Sequence, residues 1–247
     1  MWKKLGIGIA LLLILIAGAG YYLFSNLDSY IKAAIEKYGS QATQTAVTVG
    51  SVSLSLSSGS GTISNLRVAN PGGYSTPAAL SIGSIALQID TGTLTGNGPI
   101  IVDSVSITQP QITYEVKGLI QGSNLQTIQR NVEAFAGSGR AAQTPAQNGT
   151  PARKEIIRDL TITGGEVTVL APTLTGKTLV EPLPPIHLTD LGGASGATPA
   201  QIGAQVLDII ADRAAVAGAA ALTKQLGGGV VPVPAQAGSL LHSLLGN

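Results

Sequence analysis

The chain has 247 residues, with 14 basic and 13 acidic side chains, a formal charge of +1 and charged residues at 11% of the total. So dilute and balanced a charge, with no run of either sign, excludes the electrostatic footprint of a nucleic-acid binder, and the absence of cysteine excludes disulfides and thiolate metal sites. Thr, Ser, Gln and Asn stand where charge usually would, and the 32 glycines add to a composition that suits strands better than surface helices.

Leu5 to Phe24 carries no charge and follows Lys3 and Lys4. As a helix rising about 1.5 Å per residue it reaches roughly 30 Å, the thickness of a bilayer's hydrocarbon core. Leu5, Leu11, Leu15, Tyr21, Tyr22 and Phe24 are the expected anchor residues, with the tyrosines at the interface and the two lysines on the cytoplasmic side. A cleavable signal peptide ending at Ala17-Gly18-Ala19 is the rival reading, but the apolar run continues through Phe24, past that cut. Both readings export the chain from about Ser25 onward.

Next, Leu27, Ile31, Ile35 and Tyr38 form an amphipathic stripe with Asp28–Lys32 and Lys32–Glu36 pairs on the other face, and Gly39 is placed to stop the helix. This helix is expected at the membrane surface. A unit of the form apolar-x-x-apolar-x-apolar then recurs: Val49 to Leu54, Ile63 to Val68, Ile82 to Leu87, Val102 to Ile107 and Ile157 to Ile162. Strict alternation would send successive residues to opposite faces of a strand, so the extra residue predicts a β-bulge, or a short break, that keeps the apolar positions on one side of a curved sheet. Val102 to Tyr114 matches Ile157 to Val169 at an offset of 55, with Gln109-Pro110 and Gly164-Gly165 as turns or bends at the same place. A second helix is expected from about Asn124 to Ala136, with Leu125, Ile128, Val132 and Phe135 on one face. A flexible Gly/Ala/Gln/Pro connection follows it. A third opens at Thr198-Pro199-Ala200-Gln201, a capping box with proline at the first helical position, and carries Ile202, Val206, Ile209 and Ile210. The tail ends in an apolar patch, Leu240 to Leu245.

No catalytic or metal-ligating pattern emerges. His187 and His242 stand apart in bland settings, and neither H-E-x-x-H nor G-x-S-x-G occurs. Asp103 and Asp159 occupy nearly equivalent repeat positions, which points to a structural task at the bend. Ser57 to Gly61 lacks the Lys-Ser/Thr of a phosphate loop and reads as a hairpin turn. Arg153, Lys154 and Arg158 form the only basic cluster, a solvated face or a contact for acidic headgroups.

Asn26 to Gly39 after an N-terminal anchor, Val47 to Leu54, Leu66 to Tyr74 and the rhythm Ile107-Thr-Gln-Pro-Gln-Ile112 resemble the AsmA family over roughly residues 1 to 195. The resemblance implies an inner-membrane, single-pass protein with its N-terminus in the cytoplasm and its bulk in the periplasm, related in design to chorein-type bridge lipid carriers and serving outer-membrane lipid supply and envelope integrity.

The expected fold is α+β: a transmembrane helix, then a curved, mostly antiparallel sheet of repeated strand units with flanking amphipathic helices. Its expected parts are an anchor (1–25), a β-rich domain (26–136), a linker (137–153), completing strands (154–195) and a C-terminal helix and tail (196–247). Eight or so strands about 4.8 Å apart imply a groove of about 40 Å, short for the family. The groove candidates, expected on one face, are Val52, Leu54, Leu66, Val68, Ile85, Leu87, Val105, Ile107, Leu160 and Ile162. The expected function is non-catalytic holding of acyl chains, with membrane phospholipid as partner, no cofactor and no metal. An envelope scaffold that binds itself or another protein is the alternative.

Overall fold

A computed structural model describes residues 26–117, 122–138, 153–171, 174 and 178–225. The expected anchor and the apolar tail lie outside the described residues, as does Asn148-Gly149-Thr150, which has the form of a glycosylation acceptor. Among the described residues no helix is long and apolar enough to cross a membrane.

The fold is α+β: an open, curved, mostly antiparallel sheet with three helices. In chain order these are α1 (Leu27–Thr43), β1 (Val47–Thr48), β2 (Ser51–Leu54), β3 (Ser60–Ala69), β4 (Ala78–Ile89), β5 (Ile100–Thr108) and β6 (Gln111–Glu115). Then come α2 (Asn124–Gly137), β7 (Glu155–Thr163), β8 (Glu166–Leu170), β9 (Leu179–Pro182), β10 (Ile186–Leu191) and α3 (Pro199–Gln225). The ten strands are not ten abreast. β5 and β6 pair one after the other along β4, β7 and β8 follow them in parallel, and β10 and β9 close the row antiparallel to β7 and β8. With β1 and β2 end to end along β3, the sheet has six ranks. Six ranks at about 4.8 Å span about 24 Å, so the sheet is narrower than the expected 40 Å because broken strands stack end to end.

The sequence repeat is visible as register. Val102 pairs with Ile157, Ile107 with Ile162, Ile112 with Val167 and Tyr114 with Val169, an offset of 55 at every position. Two copies of one unit therefore lie side by side in parallel, joined by a crossover that contains α2. Gln109 and Gly164, also 55 apart, both hold left-handed backbone, at φ 51° and 65°. Of the two readings left open for Gln109-Pro110 and Gly164-Gly165, the bend is the one observed. The chain runs straight on along the same neighbour.

These bends belong to a crease across the whole sheet. Asn65, at φ 54°, stands opposite Gly83 between the Ser64–Ser84 and Leu66–Ile82 pairs. Gly50, Gln109-Pro110, Gly164-Gly165 and Leu183 to Pro185 continue the line from edge to edge. A second irregularity crosses β4 and β5, where Gln88 and Ile89 pair with Ser104 and Val102 and leave Asp103 extra. At the second irregularity the added residue Asp103 reverses the pleat, and at the crease left-handed backbone at Asn65, Gln109 and Gly164 does so without a register shift between β3 and β4, so the apolar positions on either side return to the same face.

One expectation for α1 needs correction. The helix does not stop at Gly39 but continues to Thr43 and ends on left-handed Gln44. Gly39 is there because a Cβ would meet the Val47 side chain at 3.1 Å, so glycine permits helix and strand to touch. Its apolar stripe, Leu27, Ile31, Ile35 and Tyr38, is half-buried. Its polar side, at four-residue intervals, bonds the sheet edge. Asp28, Glu36 and Ser40 accept from the amides of Leu54, Val49 and Val47 at 3.0, 2.9 and 2.9 Å, and Lys32 donates to the Gly50 carbonyl at 3.0 Å. This helix takes the place of a further strand and satisfies backbone groups that an open edge exposes.

Candidate functional site

The apolar face is built by the register. Across the upper half it reads Val52, Ile63, Ile85, Ile107, Ile162 and Ile186 in one row, with Leu54, Gly61, Leu87, Val105, Leu160 and Leu188 in the next. All ten groove candidates register onto this face, with Leu66 and Val68 below the crease. Gly61 is required because Leu54 and Leu87 fold over it, each with a Cδ within 2.7 Å of where its Cβ would stand.

The face is not uniformly open. α3 begins at the upper end, where Ala197 and Glu155 exchange backbone hydrogen bonds, and packs most closely on β6, β8 and β9. Its capping box forms as expected, between Thr198 and Gln201. Near its far end, Gly218 lets the helix approach until a Cβ would lie 3.0 Å from the Tyr114 ring. Ile202, Ile210, Ala211, Ala214, Ala217 and Ala221 join one core with Leu160, Ile162, Val167 and Val169. α2 adds Leu125, Ile128 and Val132 to that core and sits between α1 and α3. Leu160 and Ile162 are accordingly 3% and 1% exposed. Burial falls off toward β2 to β5, where Leu54, Ile63, Ile85, Leu87, Ile89 and Val105 are half-buried. Val52, Val68 and Ile107 are buried, and Leu66 is half-buried. The candidates thus divide into a strip beside α1 and a flank beneath α3.

The other face is polar. His187 Nε2 meets Asp159 Oδ2 at 2.5 Å and Arg158 meets Asp103 at 2.6 Å, all four side chains well exposed. The pairs tie neighbouring ranks at the second irregularity, as expected for Asp103 and Asp159. Among the described residues no hydroxyl is hydrogen-bonded to His187. A shallow polar hollow of about 580 Å³ follows the crease on this side, lined by Asn65, Arg67, Ser81, Gln109 and Gln111 among others. A second, of about 620 Å³, lies between α1 and α2 beside Ser40, Gln44, Asn131 and Phe135. Its polar rim makes a poor seat for an acyl chain.

The basic cluster does not hold together in space. Arg153 is spent on backbone: its guanidinium donates to the carbonyls of Thr93, Leu94 and Gly98 at 2.7, 2.8 and 2.6 Å. Arg158 is paired and Lys154 is exposed. Adjacent letters placed the three together, while each is committed to a different surrounding.

Sequence reasoning missed a buried polar ring at the lower end. Fully buried Asn124 accepts from the Glu115 amide at 2.9 Å and donates to Thr113 O and Asn70 Oδ1, both at 2.7 Å. Asn70 donates to Thr76 O at 2.9 Å, and the Glu115 carboxylate accepts from the amides of Ser75 and Thr76 at 2.7 and 3.3 Å. The one available signal was Asn124 as the polar start of an apolar helix. No model of a known protein family matches the chain, and no curated protein matches it.

Proposed function

We propose that this is a non-catalytic, membrane-tethered envelope protein of the AsmA kind, which holds acyl chains on the half-buried strip of its curved sheet. The tether is the uncharged Leu5–Phe24 segment, with the remainder in the periplasm. One observation supports the lipid reading above all: the strip Leu54, Ile63, Ile85, Leu87, Ile89 and Val105 is a continuous apolar surface that the sheet leaves partly exposed. Its affinity would come from roughly 25 cal/mol per Å² of apolar surface covered, with little discrimination among chains.

A second reading, an envelope scaffold or assembly factor, is favoured by α3, which already occupies the other flank of the same face. Photo-crosslinking in cells from Val105 and, separately, from Leu160 distinguishes them. The lipid reading expects phospholipid adducts at Val105 and adducts within the chain at Leu160. Protein adducts alone at Val105, together with lipid-free protein in native mass spectrometry, would reject lipid holding and leave the scaffold.

A further inference from the structure

We infer that the upper rim of the trough, centred on the Ser55–Gly59 turn and the Asp90–Pro99 loop, rests on the bilayer surface from which the chain emerges. The inference rests on the membrane tether proposed above and adds which part of the domain meets lipid. α1 is fixed to the sheet edge by its four polar bonds and runs antiparallel to β1 and β2. Ser40 lies by Val47 and Asp28 by Leu54. The chain therefore enters the domain, at Asn26, beside Leu54 and the turn that follows it.

That turn is one station on a continuous rim. The Ile89 amide donates to the Gly59 carbonyl at 2.8 Å, which joins the turn to the Asp90–Pro99 loop. Arg153 then clamps this loop through Thr93, Leu94 and Gly98, and the Ile100 amide bonds Lys154 O at 2.9 Å. The rim is thus a braced platform whose one charged side chain is Asp90, and it bears Leu56, one of the few exposed large apolar side chains among the described residues, at the turn. Exposed Lys154 stands beside it, and Asp28 and Asp90 are each engaged with backbone amides. A lone leucine on a polar, rigid turn suits insertion at the headgroup boundary, and the arrangement opens the half-buried strip toward lipid.

The test uses the full chain, whose lack of cysteine makes single labels unique. Leu56→Cys and Asn97→Cys on the rim, and Gly72→Cys on the β3–β4 loop at the opposite end, are labelled with an environment-sensitive dye. Each is reconstituted into phosphatidylcholine vesicles with brominated acyl chains. Quenching at Leu56→Cys should exceed that at Gly72→Cys by about twofold or more, as for a side chain held several ångströms into the headgroup layer. Vesicle-bound protein with equal quenching at both ends, or more at Gly72→Cys, overturns the rim assignment and spares the tether. Protein that fails to sediment with vesicles overturns both.

Discussion

Replacing Asn124 with alanine tests whether the polar ring pins α2 across the lower trough. The amide makes three hydrogen bonds from a side chain with no exposed surface. Alanine leaves the Glu115 amide and the Thr113 carbonyl unpaired in the core, while Asn70, half-buried on its loop, can turn to water. Two orphaned backbone groups at roughly 1–3 kcal/mol each, toward the lower half because Ala leaves room to relax, at about 1.5 kcal/mol apiece give a loss of about 3 kcal/mol. For a chain of this size that lowers Tm by about 10 °C. Urea titration of the full chain in detergent, followed by far-UV circular dichroism, should show an earlier midpoint with unchanged slope. Asn124→Asp is the control: it keeps the size but faces Thr113 and Asn70 with acceptors, so it should lose at least as much. A loss under about 1 kcal/mol for Ala, or a benign Asp, would refute the claim that these bonds hold α2 in place.

Two further outcomes follow from single positions. Gly59 holds φ +72° with space for no Cβ, the nearest atom being the Ile89 carbonyl oxygen at 2.1 Å. Gly59→Ala should lose about 2 kcal/mol of stability, whereas Gly72→Ala, in open space, should gain a few tenths; equal effects in urea titration would contradict this. Burial holds the Glu155 carboxyl above its ordinary 4.5, so the folded state binds that proton more tightly than the unfolded chain does. The stabilisation is complete below the ordinary value and is lost as pH rises through the raised one. Glu155→Gln should therefore gain in Tm on the parent as pH rises above the ordinary 4.5, and a difference independent of pH would count against a desolvated carboxyl.

Much of the sheet was legible because its determinants are local. Apolar spacing located the strands, and the surplus residue in Ile63-Ser-Asn-Leu66 announced an irregularity, which proves to be left-handed Asn65 facing Gly83 one for one and not a bulge. The 55-residue offset, a feature of letters, became the parallel register of β5–β6 with β7–β8. What the letters concealed was long-range. Nothing in Val49-Gly50-Ser51 says that two short strands lie end to end, so the rank count came out too high. In α1 the apolar stripe was the stronger signal, yet the polar stripe decides its place, because unpaired edge amides are worth more than a partly exposed Ile31. On α3, the small side chains Ala214, Ala217, Gly218 and Ala221 are what let the helix settle against Tyr114 and Val169, a contact that no local pattern announces.

The division of the trough constrains how a lipid could use it. A methylene moved from water to an apolar surround is worth about 0.8 kcal/mol, and a chain laid on a bare strip is covered on only one side. The bilayer covers it on all sides. Against that competitor an open strip loses about 0.4 kcal/mol per methylene, or about 6 kcal/mol for a chain of roughly sixteen carbons. Holding acyl chains therefore demands a second wall or a chain that never fully leaves the membrane. α3 is the only described helix that supplies a long apolar wall to this face, and its Ile202 and Ile210 already press into the same core as Leu160. A rim seated on the bilayer meets the second condition, since one acyl chain can climb the strip while its partner stays behind. The two conditions combine at the upper end, where α3 begins and the strip is half-buried, and there the energetic deficit is smallest.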